Sequence, residues 1–183
     1  GVGIRGVWGR PPGLEASKKY PGKTLINGGP EGGWGDDLSY RWKPELFAAN
    51  GYVVVMVNPR GSTGYGQKFT EGVIEQWGGT PFHDLMQGLD YAEKTYPFID
   101  KNREAALGAS YGGYMANWVL GHTDRFKCIV SHDGMFHTDL SLWTTVEPWF
   151  NEWESQGHPW QNPPLYRKFS PHFFVHYIQT HPP

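Results

Sequence analysis

With 183 residues the chain has one domain's worth of length, and its 16 Lys and Arg against 18 Asp and Glu leave a net charge of −2. That balance gives no electrostatic case for nucleic acid or for an anionic membrane surface, and no run of about 18 apolar residues is present to span a bilayer. Aromatic residues at 16%, with 25 Gly and 15 Pro, describe a turn-rich folded chain with large packing groups rather than a disordered one.

Taken in order, Gly1 to Trp8 can form an opening strand and lacks the long apolar stretch of a signal peptide. Gly9-Arg-Pro-Pro-Gly13 ends it, and Lys18-Lys-Tyr-Pro-Gly22 reads as a second turn before the short strand Thr24–Ile26. Asn27-Gly-Gly-Pro30 follows. Trp42 to Asn50 reads as a helix with Pro44 in its first turn and Gly51 just past its end. Tyr52-Val-Val-Val-Met-Val57 is an unbroken apolar run, the pattern of a strand covered on both faces by helices, so a mostly parallel sheet in an α/β fold is expected.

Asn58 to Gly66 is a loop by composition, and Arg60 within it suggests a structural salt bridge more than a substrate contact. Leu85, Leu89, Ala92 and Tyr96 repeat at helical spacing from Thr80 to the stop at Pro97, which puts Asp84 and Asp90 on the solvated side or at the dipole end. Asn102 to Gly108 is the next strand. Tyr111 to Gly121 is a helix with Tyr111, Met115, Trp118 and Val119 on one face.

Between that strand and that helix lies Gly108-Ala-Ser110-Tyr-Gly112. A serine on a sharp strand-to-helix turn is held at a strained backbone angle, so positions two before and two after it must be nearly free of side chain. Its hydroxyl then projects from the sheet, with the helix amino terminus behind it. Ser110 is therefore the candidate nucleophile, and the Tyr111 N–H the first candidate oxyanion donor. The bland alternative is a glycine-rich turn with an idle serine.

Arg125 to Ser131 gives a further strand, read as buried, with Cys128 a structural thiol that cannot pair within the chain. His132 and Asp133 sit at its carboxyl end, where active groups gather in open α/β sheets. A compact triad of these two with Ser110 is disfavoured, because the hydrolase order places carboxylate and histidine on separate later strand ends. From Met135 to Trp160 an aromatic-rich stretch carries no single period and reads either as a lid-like insertion over the serine or as ordinary packing. His172 and His176 have one-turn spacing but lack the glutamate of a zinc motif, so no metal and no cofactor is expected.

Leu107-Gly-Ala-Ser-Tyr-Gly-Gly-Tyr-Met115, with Asn27-Gly-Gly-Pro30 and Asn58-Pro-Arg-Gly-Ser-Thr-Gly-Tyr-Gly66, resembles the catalytic domain of the prolyl oligopeptidase family of serine peptidases. Gly33-Trp-Gly-Asp-Asp37, Tyr96-Pro-Phe-Ile-Asp-Lys101 and His122-Thr-Asp-Arg-Phe-Lys127 are similar to its secreted fungal dipeptidyl-peptidase V branch. The resemblance implies an α/β-hydrolase fold, a peptide substrate, secretion, and a loop at 58–66 that positions the loop bearing the second oxyanion donor. Asn27 stands where the family carries histidine or tyrosine; it either donates through its amide or merely suits a glycine-rich turn. The resemblance also implies a catalytic aspartate and histidine beyond Pro183 and a preceding β-propeller. The chain is thus expected to be part of a hydrolase domain that partners the rest of its own polypeptide. Acylaminoacyl peptidase or carboxylesterase activity, and a noncatalytic hydrolase-like protein, are the alternatives.

Overall fold

The computed structural model describes residues 2–36 and 39–178; Gly1, Asp37, Leu38 and the end from Gln179 lie outside the described residues. Five strands form one sheet: β1 (Arg5–Gly9), β2 (Tyr20–Ile26), β3 (Val53–Asn58), β4 (Ile99–Ala109) and β5 (Cys128–His132), in the order β1-β3-β2-β4-β5. Only β1 runs antiparallel, against β3; the other pairings are parallel.

Strand β3 shows why the fold is layered. All six of its residues are buried, and alternate side chains leave on opposite faces. Val53, Val55 and Val57 join a core with Leu85 and Leu89 of α3 (Thr80–Thr95) and with Met115 and Val119 of α4 (Tyr111–Leu120). Val54 and Met56 join Leu25, Leu107 and Ala48 of α1 (Pro44–Ala49) on the other face. Each such side chain contributes about 1.5–3 kcal/mol on burial, so neither face of β3 can be left to water. The α/β architecture read from the valine run is the observed one: a mostly parallel sheet with helices on both faces, an α/β-hydrolase arrangement.

Three local expectations change. Tyr20, Pro21 and Gly22 belong to β2 rather than to a turn; the register against β4 shifts between Pro21 and Gly22, and such an irregularity lets proline sit in a strand. Strand β5 begins three residues later than expected and is mostly exposed, with Cys128 open to solvent and Val130 42% exposed. The apolar run does form a strand, but among the described residues β5 ends the strand order and has a neighbour only on its β4 side, so it lacks the double cover of β3. Asp84 is 3% exposed, not solvated. It accepts from Arg60 Nε at 2.8 Å, Arg60 Nη2 at 2.7 Å and the Arg60 backbone N–H at 2.9 Å, which is the structural salt bridge suspected of Arg60.

The stretch after β5 forms three short helices, α5 (Thr138–Thr144), α6 (Pro148–Glu154) and α7 (Pro163–Lys168), then a 3-10 turn at Pro171–Tyr177; another short helix, α2 (Gln67–Thr70), lies before α3. Three helices with separate axes explain the missing common period. No described helix is long and apolar enough to cross a membrane.

Candidate active site

Strand β4 ends at Ala109 and α4 begins at Tyr111, leaving Ser110 alone in the bend with φ 58° and ψ −120°. Positive φ at a non-glycine residue costs of order 1–3 kcal/mol and persists only where the surroundings impose it. Here two backbone approaches impose it. A Cβ on Gly108 would stand 2.2 Å from the Gly112 carbonyl oxygen, and one on Gly112 would stand 2.3 Å from the carbonyl oxygen of Ile26. The strand, the turn and the first turn of α4 therefore touch main chain to main chain, and no side chain fits between them.

Hydrogen bonds lock the bend from both ends. Ser110 N–H donates to the His132 carbonyl at 3.0 Å, and Tyr114 N–H donates to the Ser110 carbonyl at 2.8 Å. The serine itself remains exposed. Its hydroxyl is thus presented to solvent at the carboxyl end of the sheet and at the positive end of the α4 dipole.

Tyr111 is held from the opposite side. Its ring is 3% exposed, packs edge-on to Trp77 at 5.2 Å, and its hydroxyl donates to the Trp77 carbonyl at 2.7 Å. Burial pushes its phenol well above the ordinary tyrosine range, so the side chain stays neutral and serves as an anchor for its own backbone N–H.

The Asn27–Pro30 loop lies alongside. A Cβ on Gly28 would be 3.2 Å from the Ala109 carbonyl and 3.6 Å from Ser110 Cβ. Asn27 is 6% exposed; its Nδ2 donates to the Gly28 carbonyl at 3.1 Å, while its Oδ1 is buried without a partner. One amide hydrogen is therefore engaged within the turn and the other is left over. A cavity of about 240 Å³ opens beside Ser110, walled by Asn27, Gly28, Trp34, Trp42 and Ala109, with Arg41 the charged side chain among its lining.

That wall corrects the lid reading. Among the described residues the side chains around Ser110 come from 26–42, not from 135–160. Trp143, Trp149, Trp153 and Trp160 are each more than half exposed, while the insertion packs against α4 and Trp77: Tyr114 O–H donates to the Phe169 carbonyl at 2.8 Å, and Trp77 Nε1 donates to Glu154 Oε2 at 2.5 Å.

Asn58 is the residue that sequence reasoning passed over. Buried to 1% exposure at the end of β3, it accepts from Trp34 N–H at 2.7 Å and donates through Nδ2 to the Trp34 carbonyl at 2.9 Å and to Tyr65 Oη at 2.8 Å. Thr63 N–H donates to the Gly32 carbonyl at 3.0 Å. The 58–66 loop thus does hold the 27–34 loop, through Asn58 and the Thr63 N–H, while Arg60 ties the same loop to α3 through Asp84. The available signal was a lone asparagine closing a fully buried strand. Replacing it by alanine orphans both polar groups of Trp34; a loss of about 1–3 kcal/mol is expected in thermal denaturation, and a change under 0.5 kcal/mol would show that Trp34 is held otherwise.

His132 and Asp133 do not complete the site. Their side chains face each other at 3.1 Å and are 48% and 80% exposed, and the His132 ring lies edge-on to Trp42 at 6.2 Å. No imidazole hydrogen-bonds to Ser110 among the described residues. Nor does any group of three or more His, Cys, Asp or Glu gather there as for a metal. His172 and His176 lie on a 3-10 turn, and His172 stacks instead on His137 at 3.7 Å.

A hydroxyl forced outward, a helix amino terminus and an adjoining glycine-rich loop are parts that acyl transfer uses. A family model described as the prolyl oligopeptidase family matches residues 38–183. The "Dipeptidyl-peptidase 5" of Schizosaccharomyces pombe is 43% identical over 173 residues, 93% of this chain and 25% of that protein. The "Probable dipeptidyl-peptidase 5" of Aspergillus clavatus is 48% identical over 163 residues, 88% of this chain and 22% of that protein. Among solved structures, the Pyrococcus horikoshii acylaminoacyl peptidase superposes with a TM-score of 0.89 at 32% identity, covering 97% of this chain and 29% of that one. The chain spans about a quarter of the length of the curated relatives it matches. With a family match over most of its residues, the chain belongs to the prolyl oligopeptidase family.

Proposed function

We propose that the whole protein is a secreted serine peptidase that releases dipeptides or other short units from peptide amino termini through an acyl-enzyme on Ser110. The observation that carries this reading is the exposed serine at φ 58° between two glycines that tolerate no Cβ. In the proposed reaction Ser110 Oγ attacks the scissile carbonyl, and its proton passes to a histidine oriented by an aspartate, both in polypeptide outside these residues. The Tyr111 N–H and the Asn27 loop receive the negative charge that develops on the carbonyl oxygen. The amine leaves with the proton, and water returns the acyl group as a free acid.

Dipeptide release is favoured by the relatives named dipeptidyl-peptidase, and acylaminoacyl peptidase activity by the solved neighbour. Chromogenic dipeptide amides and N-acetylated amino-acid amides, offered to the full-length protein, separate the two. Faster release from free-amino dipeptides supports the first; faster release from acetylated substrates overturns it in favour of the second.

The same proposal makes this chain part of a hydrolase domain whose further strands pair along β5, with a β-propeller preceding it. Support comes from the exposed outer side of β5, where Cys128 and Val130 face solvent. Cys128 is then expected to react readily with a maleimide in the 183-residue chain and at least tenfold more slowly in the folded full-length protein. Equal rates in both would contradict pairing at this edge.

A further inference from the structure

The cavity beside Ser110 carries a charge that the chemistry above does not use. Its lining holds no Asp or Glu among the described residues, and Arg41 is the one charged side chain there. Arg41 is exposed, and none of the ion pairs among the described residues involves it. Two further donors on the same walls, the indole N–H groups of Trp34 and Trp42, are buried without an acceptor, against one orphaned acceptor, Asn27 Oδ1. The walls are therefore richer in donors than in acceptors.

Neighbouring contacts fix the support that carries the guanidinium. Trp42 N–H donates to Ser39 Oγ at 3.0 Å, and the Trp42 ring lies 6.4 Å from that of Phe47 in α1 and edge-on to His132 at 6.2 Å. On the other wall, Asn58 grips both backbone polar groups of Trp34. Arg41 thus stands on an anchored turn, at a cavity that the nucleophile also lines.

We propose that this cavity is the subsite for the residue that leaves, and that Arg41 is its specificity residue, selecting a carboxylate on the amine side of the scissile bond. The proposal rests on the peptidase reading of Ser110. A peptide cut near its amino terminus carries opposite charges on its two sides: the acyl part brings the free α-ammonium, and the leaving part brings the C-terminal carboxylate. A guanidinium repels the first and attracts the second, so charge decides which side of Ser110 the leaving residue takes. The cavity, about 240 Å³, lies below the roughly 300–1,000 Å³ that enclose a whole drug-sized ligand, a size that suits one residue. Two sources put a carboxylate there: the C-terminus of a tripeptide, or the side chain of an acidic residue that follows the cut. Because Arg41 is exposed, its pull is modest and weakens with salt.

The test measures kcat/KM of the full-length protein for two matched pairs: trialanine against its C-terminal amide, and dialanyl aspartic acid α-amide against dialanyl asparagine amide. In at least one pair the carboxylate member is expected to be cleaved at least about threefold better at low salt, and the pair that shows it identifies the source. Raising salt to about 1 M, where the screening length is about 3 Å, should erase the preference. Arg41→Lys should keep it, Arg41→Gln should bring the ratio near unity, and Arg41→Glu should invert it. The ratio cancels losses common to both members, so a merely structural role for Arg41 does not move it. Ratios near unity in both wild-type pairs, or a preference that survives Arg41→Gln, overturn the proposal. A wild type that cleaves no peptide overturns the peptidase reading instead, and calorimetric titration with the same four peptides then decides Arg41. Tighter binding of a carboxylate member, lost in Arg41→Gln, upholds the subsite; equal or absent binding rejects it.

Discussion

Ser110→Ala in the full-length protein is expected to lower kcat by at least about 10⁴-fold while leaving KM within a few-fold and Tm within about 1 °C. The hydroxyl is exposed and makes no hydrogen bond among the described residues, so its removal leaves no buried group unsatisfied. Positive φ, however, suits alanine no better than serine, so the bend itself survives the change. What disappears is the atom that forms the acyl bond; binding and oxyanion donors alone leave only a residual rate over water. A fall under tenfold would place the nucleophile elsewhere.

The largest expected effect on stability lies far from Ser110, at Arg125. Its guanidinium is 15% exposed and joins two elements through three ion pairs: Nε to Glu104 of β4 at 2.8 Å, Nη1 to Asp90 of α3 at 2.8 Å, and Nη2 to Glu93 of α3. Glu104 is 3% exposed. Removing one partner of a buried ion pair strands the other charge, at about 3–5 kcal/mol. Arg125→Met, which keeps the side chain's length, is therefore expected to destabilise by about that amount in chemical denaturation. Burial already raises Glu104 to about 7 in spite of Arg125. A carboxyl raised on folding binds its proton more tightly in the folded state, so its contribution is fully present below the unfolded value of 4.5 and is lost as pH rises through about 7. The Arg125→Met penalty should accordingly be larger at pH 8 than at pH 5. Equal penalties at both would show that Glu104 is hydrated.

How far the sequence could be read depended on whether a residue's neighbours are local. The bend at Ser110 is legible within five residues, because Gly108 is needed by the Gly112 carbonyl in the same turn, although Gly112 itself is needed by the Ile26 carbonyl of β2. The valine run of β3 carries its own evidence of double cover. Helix α3 is equally explicit, since Leu85, Leu89 and Ala92 repeat on one stripe. By contrast, Asp84 lies on that same helix and looks solvated by spacing; only Arg60, 24 positions earlier, explains its burial. Cys128 and Val130 read as core from their run, yet strand order decides their exposure, and order is a long-range property. Asn58 and Glu154 were invisible for the same reason, as their partners Trp34 and Trp77 lie 24 and 77 positions away.

Treatment of the full-length protein with a fluorophosphonate, followed by mapping of the modified peptide, tests the proposed nucleophile most directly. The expected product is a single adduct on Ser110, absent when the protein is unfolded beforehand. An unmodified Ser110 in protein shown to be folded, or an adduct on another serine, would contradict it.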